Sequence, residues 1–319
     1  MKRSVFLRIA IYTALMVMGL IILANSSLTI FLPKKEKIIP YVAGKTAGKP
    51  VFLRHLGSGL SEPLAVAVDK RGYIYIADSG NNKVKVYQPN GNLIKIYGAM
   101  DGNDIAFTYP NAIAVDSQEI IYVGELKTGR IQVFDYSANL VRVIDGGSTG
   151  LPLAPLALAV DGEDRIHVAN RTGEVFVLDK EGKLLLRFGE PGVQRGKLSY
   201  PNGIAIDAAG RIVVSDSGNA RIQIFNNEGK YLKSALAAQF GVALPRGIAV
   251  GQGNRIYVAD VFGHQVVELN EDLELRHILG RLGQQEGELK FPNGVAVDAM
   301  GNVYVAERGN NRMSVFGWE

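Results

Sequence analysis

Asn111, Asn202 and Asn293 each follow a proline, and Arg246 follows another, at Pro110, Pro201, Pro292 and Pro245. Leu64 and Leu156 take the same place after Pro63 and Pro155. A second recurring set, Asp78, Glu125, Asn170, Asp216, Asp260 and Glu307, lies further along each copy of the same pattern. Gathered around an axis, the two sets would make an oxygen-rich mouth suited to Ca²⁺ or a similar hard ion, or to a small anionic ligand facing Arg246. Glu125 and Glu307 are each one methylene longer than the Asp of sister copies, so they are the carboxylates expected to project into that mouth. Asp78, Asp216 and Asp260 are read as turn acceptors, because an Asp opening a tight turn bonds to the turn's own backbone. The candidate ligand-binding set is therefore Asn111, Asn202, Asn293, Arg246, Glu125 and Glu307.

Other chemistries find less to work with. The chain has no Cys, which excludes disulfides, thiolate metal sites and a Cys nucleophile. His55 and His277 fall on expected outer strands, and His167 stands where sister copies have Tyr75, Tyr122, Tyr257 or Tyr304, so it reads as a packing residue. His264 alone falls short of the three or so protein ligands that catalytic zinc requires. No Ser sits in a nucleophile-elbow context, so a serine triad has no support.

The elements that must position these residues come from a repeat. EPLAVAVDKRGYIYIADSGNNKVKVY from Glu62 recurs as YPNGIAIDAAGRIVVSDSGNARIQIF from Tyr200 and FPNGVAVDAMGNVYVAERGNNRMSVF from Phe291, with three further copies between them. The anchoring prolines are 47, 45, 46, 44 and 47 residues apart, a period that belongs to four-stranded propeller blades. In the copy from Tyr200 the turn chemistry predicts strands over 203–207, 212–215, 221–225 and 230–235. The first strand of every copy is rich in Ala and Gly, as expected where six inner strands crowd one axis. The sixth copy has three strands, and the fourth is found at the other end of the chain: residues 51–57 (VFLRHLG) match the outer-strand pattern and are expected to pair with residues 312–316. The expected fold is all-β, a six-bladed β-propeller spanning residues 51–319.

The pattern P-x-G-[IV]-A-V-D followed by [IV]-Y-V-A-D-S-G-N-x-R-[IV]-Q-V-F resembles the NHL repeat family of six-bladed propellers over residues 51–316. Leu64, Leu156 and Arg246 depart from it where other copies have Asn. The resemblance also brings in enzymes of similar fold: lactone hydrolases of the gluconolactonase type, which use Glu, Asn and Asp on a divalent metal, and the peptide amidating lyase, which uses histidines on zinc. The Asn of P-N-G is similar to the lactonase ligand and the segment around His264 to a metal-binding segment of the lyase, but neither set is complete here. Some NHL proteins bind nucleic acid. That partner is not expected here, because Lys plus Arg exceeds Asp plus Glu by 35 − 31 = 4 and much of the excess sits in the first 54 residues.

Residues 9–32 carry no charge, enough at about 1.5 Å per residue to span a hydrocarbon core as a helix. They are read as a single-pass membrane anchor within residues 1–32, with cleavage as a signal peptide the alternative. Residues 33–50 are then a linker, and the propeller lies on the extracytoplasmic side of the cytoplasmic membrane. The expected function is a tethered, monomeric binding or scaffold module for a protein, peptide or glycan partner; the alternative is a metal-dependent hydrolase or lyase working at the channel mouth.

Overall fold

A computed structural model of the chain describes residues 48–98 and 106–319. The apolar run at 9–32 and nearly all of the expected linker lie outside those residues. Among the described residues no helix is long and apolar enough to cross a membrane.

The described residues form six antiparallel sheets of four strands each. In the fourth blade the strands are Pro201–Ile206, Ile212–Asp216, Arg221–Phe225 and Tyr231–Leu236, within two residues of the sequence expectation. The sixth blade is completed from the N-terminal side as expected. Strand Pro50–Leu56 pairs antiparallel with Arg312–Trp318, with Pro50 opposite Trp318 and Leu56 opposite Met313, and a bulge between Phe52 and Arg54.

Each blade buries both faces, so its strands do not alternate apolar and polar in the manner of a half-exposed sheet. Ile74–Asp78 and its five counterparts are buried at every position. The apolar side chains collect in six clusters, each shared by two neighbouring blades. One joins Tyr75 and Val84 of the first blade to Ile121 and Val123 of the second; another joins Tyr304 and Met313 of the sixth to Ile74 and Ile76 of the first. The core of the ring is thus a set of layers between blades rather than one central mass.

The axis is crowded at the backbone. A Cβ placed on Gly203 would stand 2.2 Å from the Arg246 carbonyl oxygen, and one on Gly247 2.4 Å from that of Asn293. Neither is a contact that real side chains make, so glycine at these two positions lets consecutive inner strands approach and brings the residues after the prolines close together.

The turn between the first two strands repeats one device. The Asp207 carboxylate accepts from the backbone N–H groups of Ala209 and Arg211, at 2.9 and 2.8 Å. Asp69, Asp116, Asp161 and Asp298 do the same in their blades. In three of them a tyrosine hydroxyl, from Tyr75, Tyr122 or Tyr304, donates to the same carboxylate. His167 fills this place in the third blade, buried with its Nε2 2.8 Å from Asp161 Oδ2. Burial acts to raise the Asp161 carboxyl, but the hydrogen bonds from His167 and Arg165 outweigh it and hold the group well below the usual carboxylate range.

Candidate binding site at the channel mouth

All six positions that follow the prolines line one cavity on the axis: Leu64, Asn111, Leu156, Asn202, Arg246 and Asn293. Its volume is about 290 Å³. The floor is made of inner-strand Ala, Gly and apolar side chains, and Tyr109, Lys127 and Arg308 complete the rim. No Asp or Glu is among the described residues that line it.

Two of the asparagines are spent on architecture. Asn111 donates to the carbonyls of Pro155 and Leu156 and accepts from the Leu126 N–H, stitching the second blade to the third. Asn293 donates to the Leu64 carbonyl at 2.7 Å, closing the ring between the sixth and first blades, and accepts from Arg246 Nη1 at 3.0 Å. Asn202 donates only locally, to the Tyr200 carbonyl. Arg246 differs from the other five in carrying a charge. Its Nε is buried without a hydrogen-bond partner, and among the described residues no carboxylate pairs with it. Desolvation, then the positive charge of Arg308, push the guanidinium below its ordinary value, with Tyr109 acting weakly the other way.

Arg308 is matched at the rim by Glu62, whose carboxylate accepts from Arg308 Nη2 at 2.8 Å and from the Tyr109 hydroxyl at 2.9 Å. The Arg308 and Tyr109 hydrogen bonds hold the Glu62 carboxyl below its usual value. Lys127 Nζ lies over the Tyr109 ring, 4.5 Å from its centre. Tyr200 and Phe262 occupy the blade positions that correspond to Tyr109 and Lys127, and both are more than half exposed.

The second expected ring does not reach the cavity. Glu125 and Glu307 have no exposed surface. Glu125 accepts from the Thr108 N–H, from Arg130 Nε and from Gln132 Nε2. Glu307 accepts from the Lys290 N–H, Asn310, Arg312 and Ser314. Each carboxylate is taken up by partners within its blade and the loop before it, as the shorter Asp216 is by Arg221 and Gln223, and Asp78, Asp216 and Asp260 are equally buried. A Ca²⁺ site built on Glu125 and Glu307 does not fit this arrangement. Among the described residues no cluster of three or more His, Asp or Glu side chains could hold a metal ion.

His264 has a mechanical task. Its Nδ1 accepts from the Phe291 N–H of the next blade at 3.0 Å. Asn82 accepts in the same way from Tyr109 N–H, and Asn311 from Glu62 N–H. These acceptors occupy left-handed backbone positions, as do the residues they hold. Burial, chiefly, lowers the His264 pKa. The unfolded chain therefore takes up a proton, as pH falls below about 6.5, that the folded chain resists, so this contribution is complete above that pH and lost as pH drops toward the folded value. His264→Asn is expected to leave the melting temperature at pH 8 within about 1 °C and to flatten the fall in stability between pH 7 and 5. His264→Ala should cost about 0.5–1.5 kcal/mol at pH 8. Denaturant titrations at both pH values check this.

Comparison with known proteins adds what three of the blades are similar to. Residues 60–87, 198–225 and 289–316, in the first, fourth and sixth blades, match the NHL repeat. Three of the six blades therefore match the NHL repeat. The Drosophila melanogaster protein brain tumor is 33% identical over 135 residues, 41% of this chain and 12% of its own length. The Rattus norvegicus E3 ubiquitin-protein ligase NHLRC1 is 28% identical over 182 residues, 53% of this chain and 43% of its own. The chain therefore spans less than half the length of these relatives. Among solved structures, a streptogramin B lyase aligns over 86% of this chain and all of its own with a TM-score of 0.61 at 16% identity, and a virginiamycin B lyase of Staphylococcus aureus over 85% with 0.59 at 14%. At that identity the likeness is one of fold.

Tyr109, Lys127 and Arg308 were not singled out in the sequence. They sit in turns that differ from blade to blade, and the repeat, which marks what the blades share, does not expose what one blade adds.

Proposed function

We propose that the NHL propeller is a binding module whose channel-mouth face holds a protein or peptide partner. The observation that carries this reading is the composition of that face, where Tyr200 and Phe262 are exposed at the blade positions of Tyr109 and Lys127, and the small cavity is lined by Arg246, Lys127 and Arg308. Aromatic and Arg side chains are the residues that most often carry binding energy at protein interfaces. The NHL relatives, one of them an E3 ubiquitin-protein ligase, favour a role in protein interaction. The uncharged run at 9–32 favours attachment to the cytoplasmic membrane with the propeller outside it. Catalysis by a metal at the mouth is the weaker reading, since the carboxylates that would hold it are engaged within the blades.

Photo-crosslinking at Tyr200 in intact membranes tests the reading. The chain with a photoreactive amino acid at position 200 and no other change is expected to give a discrete adduct that is lost when Phe262→Ala, on the same face, is added and retained when Leu185→Ala, at an exposed residue of an outer strand, is added. Equal labelling in all three variants would remove the face from consideration.

A further inference from the structure

We infer that the cavity at the channel mouth is a carboxylate-recognition pocket, in which Arg246 receives a carboxylate presented by the partner as an acidic side chain or a chain terminus. The inference rests on the reading of this face as the docking face and names the group it recognises. Arg246 is the charged member of a ring whose five counterparts are neutral. Its Nη1 is fixed by Asn293 Oδ1 at 3.0 Å, which orients the guanidinium plane, while Nε is left without a partner. A desolvated cation with an unused donor is costly unless an anion completes it. The planar guanidinium matches a carboxylate in a two-point arrangement.

The surroundings agree. Lys127 adds positive charge to the lining; Arg308 is matched by Glu62 at the rim, and no carboxylate is among the described residues that line the cavity and could pair with Arg246. A cavity of about 290 Å³ lies at the small end of ligand sites, sized for one side chain or chain end rather than an extended cofactor. Asn202, on the neighbouring blade, keeps its Oδ1 and one N–H uncommitted to other residues and stands on the same ring.

The test uses the full-length chain in detergent at fixed ionic strength, titrated with sodium acetate and, separately, with sodium phosphate while thermal unfolding is followed. Acetate is expected to raise the melting temperature saturably, and Arg246→Met to weaken its apparent affinity by about ten- to hundredfold, the worth of one charge-assisted hydrogen bond. Arg246→Met without acetate should unfold at a higher temperature than the wild type, because it removes the unmatched charge; this shows that the variant folds. Two peptide probes, acetyl-Gly-Asp-amide and acetyl-Gly-Ala with a free C terminus, separate the two sources, and saturable binding of either supports the pocket. Phosphate binding tenfold tighter than acetate, an acetate effect unchanged in Arg246→Met, or no binding of either peptide would overturn it. Acetate needs no partner, so its effect in Tyr200→Ala is unchanged whether or not the docking reading holds, and the two readings can fail separately.

Discussion

Removing residues 1–57 is expected to destroy cooperative folding, whereas removing residues 1–47 is expected to leave it intact. The two truncations differ by the closing strand Pro50–Leu56, the fourth strand of the last blade. Without it the Arg312–Trp318 strand becomes an open edge, a template for pairing with other chains. The loss also strips Phe52, which packs edge-on at 6.1 Å against Phe316, and Leu56, buried with Met313 and Val315 in the layer between the sixth and first blades. One buried leucine and one partly buried phenylalanine are worth roughly 2–4 kcal/mol in burial alone, a large share of an ordinary domain's 5–15 kcal/mol. The single tryptophan reports on the event directly, since Trp318 stands opposite Pro50 and donates to the Gly301 carbonyl. Urea unfolding followed by its fluorescence should show a sharp transition for residues 48–319 and a broad, aggregation-prone one for residues 58–319. Coincident midpoints would mean that the ring does not depend on its closing strand.

Asp216→Ala is expected to cost about 3–5 kcal/mol, because it strands a buried cation. The Asp216 carboxylate has no exposed surface and accepts from Ser199 N–H at 2.7 Å, Arg221 Nε at 2.7 Å and Gln223 Nε2 at 3.0 Å. Arg221, itself buried, spends its remaining donors on the carbonyls of Val193, Gln194 and Lys197. The pair therefore ties the loop between the third and fourth blades to the ring. Glu307 and Arg312 repeat the arrangement, with Arg312 donating to the carbonyls of Gln284, Gln285 and Glu288. Replacing both members, as Asp216→Ala with Arg221→Met, should recover part of the loss, since no unpaired charge then remains. Denaturant midpoints of the three variants check this. If Asp216→Ala proved neutral in stability, the carboxylate ring would have to be reconsidered as a ligand site.

The same pairs explain where reading the sequence succeeded and where it stopped. The blades and the missing strand were legible because they rest on what repeats: proline spacing, Asp-led turns and Ala or Gly on the inner strand. The place of Asn111, Asn202, Arg246 and Asn293 followed from that geometry. Glu125 and Glu307 were misplaced because strand order alone brings both rings to one end of the blade and does not say which way a side chain turns there. The signal was present as Arg130, Arg221 and Arg312, each five residues after an acid of the second ring, with Gln132, Gln223 and Ser314 seven after. A fixed offset from an acid to a cation and a polar side chain across one hairpin marks an internal pair. His264 was likewise set beside a metal-binding segment, when Asn82 and Asn311 at the same place in other blades already named its role as an acceptor for the next blade's backbone.

The proposed recognition at the mouth rests on Arg246 and not on the buried carboxylate ring. An arginine-selective ¹⁵N spectrum recorded as acetate is added measures this most directly. Arg246 Nε–H has no partner, whereas those of Arg221 and Arg312 already donate to Asp216 and Glu307. A saturable shift of the Arg246 resonance is expected with the other two unmoved; a spectrum in which Arg246 stays fixed while Arg221 or Arg312 shifts would rule out the Arg246 pocket.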